Sequence, residues 1–147
     1  MRTRTLAREA ALQYLYEVDL VGAEEAEGLE EFLARQVGRV EARPHAARLI
    51  AGVLDHKRQI DAELRAAAEN WSLERMAVVD RNVLRIGAYE LLHDPDVPEK
   101  VAINEAIDLA RRFSSEEACA FVNGILDRIR ERGAGDPNDQ GKREPLD

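Results

Sequence analysis

The stretch DRNVLRIGAYELLH, residues 80–93, decides the fold. Read at 3.6 residues per turn, its apolar and small positions Val83, Leu84, Ile86, Gly87, Ala88, Leu91 and Leu92 cover well over half of the helical circumference. One polar stripe remains, formed by Arg81, Asn82, Arg85 and Tyr89. A helix that is apolar on so many sides needs neighbours on more than one of them, which predicts the centre of a bundle. Gly87 costs roughly 1 kcal/mol against alanine inside a helix. Its presence there predicts close approach of another backbone at that level.

Working outward, the flanking segments carry the same period. Residues 5–20 predict a first helix with the stripe Leu6, Ala10, Tyr14 and Val18, capped by Thr3 or Thr5 and broken at Gly22. Residues 24–37 predict a second, with Leu29, Phe32, Leu33 and Val37 inward and its acids crowded where the macrodipole favours them. From Pro44, positions Ala46, Ile50, Val53, Ile60, Leu64, Ala67 and Trp71 keep a three-four spacing that predicts one long third helix. Ser72 is expected to cap a short piece that leads into the central helix. After the break at Pro95, residues 98–113 predict a helix burying Ile103, Ala106, Ile107, Ala110 and Phe113, with Asp108 and Arg112 paired outside. Ser114 and Glu117 read as a capping box for a last helix with the stripe Ala118, Phe121, Val122, Ile125, Leu126 and Ile129.

No segment alternates at period two, so the expected class is all-α: about seven helices in two packed subdomains, about 1–70 and 71–132. Residues 133–147 lack any apolar period and are expected to form a disordered tail. A single cysteine, Cys119, excludes an internal disulfide framework, and no apolar run of about 18 residues appears. A cytoplasmic protein is the expectation.

The net charge of −8 speaks against nucleic acid until its location is considered. Residues 24–31 and the tail hold nearly all of the excess acid, whereas the first eight residues carry Arg2, Arg4 and Arg8 and no acidic side chain. Arg4 and Arg8, at i, i+4, are expected to be exposed together on one face near a helix start that itself favours anions. Tyr16, on the face opposite Tyr14, and Phe121, one turn into the last helix, are candidate stacking platforms for bases. These groups would make one compact single-strand site if the two helix starts meet. Solvated charge and ordinary core positions are the structural alternatives.

Catalysis has little support. Glu90 and His93 have the spacing of a di-iron half-site but no second such pair, His45 and His56 are expected at the surface, and no nucleotide-binding or nucleophile motif occurs. Neither an enzyme nor a metal or other cofactor is expected.

Together, RTLAREAALQYLYEVDL at 4–20, DRNVLRIGAYELL at 80–92, VPEKVAINEAIDLARRF at 97–113 and FVNGILDRI at 121–129 resemble the bacterial NusB transcription antitermination factors. The resemblance implies a non-enzymatic, all-helical protein. It implies binding to the single-stranded boxA element of nascent ribosomal RNA leaders, together with the small-subunit ribosomal protein NusE, so that RNA polymerase reads through terminators. On this resemblance Arg2, Arg4 and Arg8 fall in the arginine-rich RNA motif, Tyr16 on an aromatic position close to it, and Glu117 and Phe121 in the last-helix part of the RNA surface. Arg75, Arg81 and Arg85, the last two on the stripe taken to be exposed, are the implied NusE contact; Asn104 and Asn123 read as structural hydrogen bonders. Some members of the family pair as homodimers. The arginine-rich motif is thin here, which predicts weak RNA binding by this chain alone, with a salt slope near −2 for about three neutralised phosphates. A stand-alone protein scaffold, or a helical domain like that of ribosomal RNA cytosine methyltransferases, is the alternative reading.

Overall fold

The structure, a computed structural model, describes residues 2–134, without the side chains of Arg2 and Ala134. Of the expected tail, residues 133 and 134 instead belong to the last helix, and residues 135–147 lie outside the described residues. Among them there are seven α-helices and no strand: α1 Arg2–Val21, α2 Leu29–Gln36, α3 Arg43–Asp55, α4 Lys57–Ala67, α5 Val78–His93, α6 Glu99–Phe113 and α7 Glu116–Ala134. Single 3₁₀ turns at Val40–Ala42 and Leu73–Arg75 precede α3 and α5.

Helix α5 stands where its composition places it, packed against α1, α3, α4, α6 and α7. From Asn82 to His93 only Tyr89 is not buried. Gly87 explains how α6 and α7 come so close: a Cβ there would lie 2.7 Å from Leu126 Cδ1 and 3.1 Å from the Ala106 Cβ. Gly22, at φ +90°, takes the left-handed conformation that ends α1. The paired Asp108 and Arg112 are on the outer face of α6, with Nε donating over 3.0 Å.

Several local expectations are corrected. Helix α1 begins at Arg2, so Thr3 and Thr5 lie inside its first turns and do not precede it. Helix α2 begins at Leu29, and the acidic segment before it is tied to α1: Tyr14 donates its hydroxyl to the Glu27 carbonyl, and Glu17 accepts from the Glu27 amide. The long third helix is two helices, broken at His56 (φ −106°, ψ 12°). The break lets α3 pack on α1 while α4 packs on α5 and α7, a division that one straight rod could not achieve. Ser72 makes no cap bond; its hydroxyl donates to Glu74. Ser115, one residue later than expected, caps α7 by accepting the Ala118 amide at 3.1 Å.

Candidate nucleic-acid interface

The polar stripe of α5 is not a surface. Arg85, only 5% exposed, donates through Nε and Nη2 to the two oxygens of Asp61 on α4 at 2.9 and 3.2 Å, and through Nη1 to Asp19 on α1 at 2.9 Å. Arg81 forks onto the same Asp19 at 2.7 and 3.0 Å, and Asn82 donates to it at 3.0 Å. Burial by itself would raise the Asp19 pKa; the hydrogen bonds from Arg81 and Asn82 and the Arg85 charge outweigh it and hold the carboxyl at about 2. Arg81 and Arg85 thus join α1, α4 and α5, and the expectation that this stripe is exposed is corrected. An apolar count around the helix could not distinguish a stripe facing water from one facing Asp19 and Asp61.

Arg8 is corrected in the same way. It is 5% exposed, and its Nε lies 2.9 and 3.1 Å from the Glu90 carboxylate, with Nη1 3.3 Å from Glu105. Arg4, part-exposed, lines a cavity of about 250 Å³ with Ala7, His45, Arg48, Tyr89 and Asp94. Burial, and then the Arg4 and Arg48 charges, push the His45 imidazole pKa down. His45 and His56 are half-buried, not at the surface as expected, and His56 stacks on buried His93 with ring centroids 4.2 Å apart. The Arg2 side chain lies outside the described residues.

The outward aromatic chemistry gathers at the starts of α5 and α7. Trp71 is 58% exposed and stands edge-on to half-buried Phe121, with centroids 5.4 Å apart and planes at 76°. They line a groove of about 340 Å³ with Arg75, Asp80, Ser115 and Glu117. Tyr16, 38% exposed, lies on α1 between Glu9, two turns earlier, which pairs with Arg112 of α6, and Asp19, one turn later, which pairs with Arg81 of α5. Phe113, expected in the core, is 42% exposed, with the Arg112 guanidinium 5.3 Å over its ring.

The structure therefore brings together Arg75, Glu117 and Phe121 in one groove and leaves Arg4 elsewhere. Arg4 and Arg8 adjoin the C-terminal end of α5, while Ser115 and Glu117 adjoin Ala77 and Asp80 at its start. The starts of α1 and α7 do not meet; α5, about 24 Å long at 1.5 Å per residue, separates them. Periodicity does not reveal Trp71 or Phe113 as outward: Trp71 lies beyond the end of α4 at Ala67, and Phe113 is the last residue of α6. The polar pair Glu69 and Asn70 before Trp71 was the available signal. Asn104 and Asn123 are exposed and do not serve as internal hydrogen bonders. Cys119 is a buried free cysteine.

Among the described residues no His, Cys, Asp and Glu group could hold a metal ion, and no helix is long and apolar enough to cross a membrane. Fold and surface together define an all-helical recognition protein, whose outward chemistry is aromatic stacking and paired charge. Residues 5–131 match the family model for the NusB family. The chain belongs to that family, whose members are non-enzymatic transcription antitermination proteins. It is similar to the transcription antitermination protein NusB of Sorangium cellulosum, 47% identical over 89% of this chain and 94% of that one, and to that of Geobacter sulfurreducens, 46% identical over 88% and 94%. Of solved structures, it is similar to T. maritima NusB, at 39% identity and TM-score 0.76 over 87% of this chain and 90% of that one. A chain in the crystal structure of the antitermination factors NusB and NusE in complex with dsRNA matches at 28% identity and TM-score 0.76, over 90% and 98%.

Proposed function

We propose that this protein binds boxA-type single-stranded RNA of nascent ribosomal transcripts together with NusE, and that the complex helps RNA polymerase resist termination. The observation that carries the RNA reading is the outward aromatic pair of exposed Trp71 and half-buried Phe121, since stacking platforms serve single strands whose bases are unpaired. The solved relative in complex with NusE and dsRNA supports both partners. Phe121 and Tyr16 stack bases, Glu117 accepts from a base edge, and Arg4, at the far end of α5, contacts a phosphate of a strand long enough to pass along the helix. Arg8 acts indirectly, by holding α1 against α5 and α6. Arg75 is exposed and is the NusE contact on this reading, while Arg81 and Arg85 hold the helices that present it.

Fluorescence anisotropy of a labelled boxA-type RNA, with and without NusE and against a scrambled RNA, tests this. Selective binding strengthened by NusE is expected. Equal binding of both RNAs, or none under either condition by folded protein, would overturn it and leave a protein-only scaffold.

A further inference from the structure

We infer that the cavity between the starts of α1 and α3 and the end of α5 binds a small zwitterion, a free aliphatic amino acid. Of its groups only Arg4 is shared with the RNA reading above, and the inference does not depend on that reading.

The lining of this cavity, about 250 Å³ in volume, carries both signs of charge. Arg4 of α1 and Arg48 of α3 contribute the cations, and Asp94 and Asp96, in the turn after α5, contribute the anions. Among the described residues neither arginine pairs with a carboxylate, and neither aspartate pairs with a cation. Arg48 donates instead from Nη2 to His45 Nδ1 at 2.9 Å, and the Asp94 side chain accepts the Asp96 amide at 3.0 Å. An arginine can only donate, so the His45 proton sits on Nε2 and adds a donor to the cationic side. Buried Arg8 is already closed onto Glu90 and brings no further charge.

The two signs act on one space. Burial raises the pKa of the Tyr89 hydroxyl on the lining; the Asp94 charge adds to this and the Arg48 charge opposes it. At His45 burial lowers the pKa, the Arg4 and Arg48 charges push the same way, and Asp94 opposes them. Opposite charges that meet in one cavity without forming an ion pair are held apart by the helices that carry them.

That separation selects the ligand. A plain anion meets the aspartates and a plain cation meets the arginines, whereas a molecule with both signs pairs with both. The helix ends give its direction. Helices α1 and α3 start at the cavity, where partial positive charge favours a carboxylate, and α5 ends at it, where partial negative charge favours an ammonium. At about 30 Å³ for each water the volume holds about eight of them, which admits a free amino acid and excludes a whole nucleotide. Ala7 and Leu49 offer its side chain an apolar surface.

Saturation-transfer NMR titrations of the full chain with leucine, N-acetyl-leucine, leucine methyl ester and inorganic phosphate test this. Acetylation removes the ammonium, and esterification removes the carboxylate charge. Leucine is expected to bind with a Kd of about 1 mM or tighter. Each derivative is expected to bind about tenfold more weakly or worse, because each loses hydrogen bonds between charged partners. Arg48→Gln and Asp94→Asn are each expected to weaken leucine binding about tenfold with an unchanged urea midpoint. Arg48 is exposed, and asparagine at position 94 keeps an oxygen for the Asp96 amide. No binding of leucine, valine or isoleucine would overturn the inference, as would leucine binding that both variants retain in full. N-acetyl-leucine or phosphate binding as tightly as leucine would overturn it and make the cavity an anion site.

Discussion

At the seam where α1 meets α4, α5 and α6, the arginines Arg8, Arg81 and Arg85 each close onto a carboxylate of another helix: Glu90 and Glu105, Asp19, and Asp61 with Asp19. At the corner where α5 and α7 begin, Trp71 stands in solvent and Phe121 is half-covered. The seam uses its polar groups up within the fold. The corner leaves stacking surface outward. Charge density in the sequence therefore marks what holds this bundle together, and the capacity to recognise a partner lies where aromatic groups remain uncovered.

The seam is where a mutation should do most harm. Arg85→Ala removes the fork on buried Asp61 and one of the three side chains that donate to Asp19, and truncating one partner of a buried pair costs about 3–5 kcal/mol. Urea unfolding should register that loss for Arg85→Ala and a similar one for Arg8→Ala, whereas Arg4→Ala should stay within about 0.5 kcal/mol, as surface changes do. If Arg8→Ala were as mild as Arg4→Ala, the contrast drawn here would fail for α1.

Acid should act on the seam next. Asp19, with a side chain only 15% exposed, has a carboxyl held at about 2 against an ordinary 3.8. A folded-state value below the unfolded one gives stability that is complete above about pH 4 and lost as pH falls through 2. The shift corresponds to about 2 kcal/mol. Between pH 5 and pH 2 the wild type should lose that much more than Asp19→Asn in urea midpoints converted to free energy. Parallel losses in the two proteins would detach Asp19 from the seam.

How far residues alone led can be traced through particular positions. Val83, Leu84, Ile86 and Gly87 were legible as a bundle centre because burial on several sides follows from composition and period. The break at His56 was not, since it is set by what α3 and α4 pack against and not by a proline or glycine at that point. Arg4 and Arg8 share a face by spacing, yet Glu90 and Glu105, more than eighty residues away, decide that one of them is buried. Phe121 and Glu117 entered through resemblance to the NusB family. Trp71 joins them only once α4 ends early enough to turn it outward.

The most direct test of the corner as an RNA surface is the affinity of Phe121→Ala for boxA-type RNA in the presence of NusE, measured by anisotropy beside the wild type, with thermal unfolding as the check on folding. Stacking of one base is worth about 1–3 kcal/mol, so a roughly tenfold or greater loss of affinity in a protein that still unfolds cooperatively is the predicted result. Undiminished affinity in that folded variant would contradict the account and return the RNA contact to the arginine end of α1.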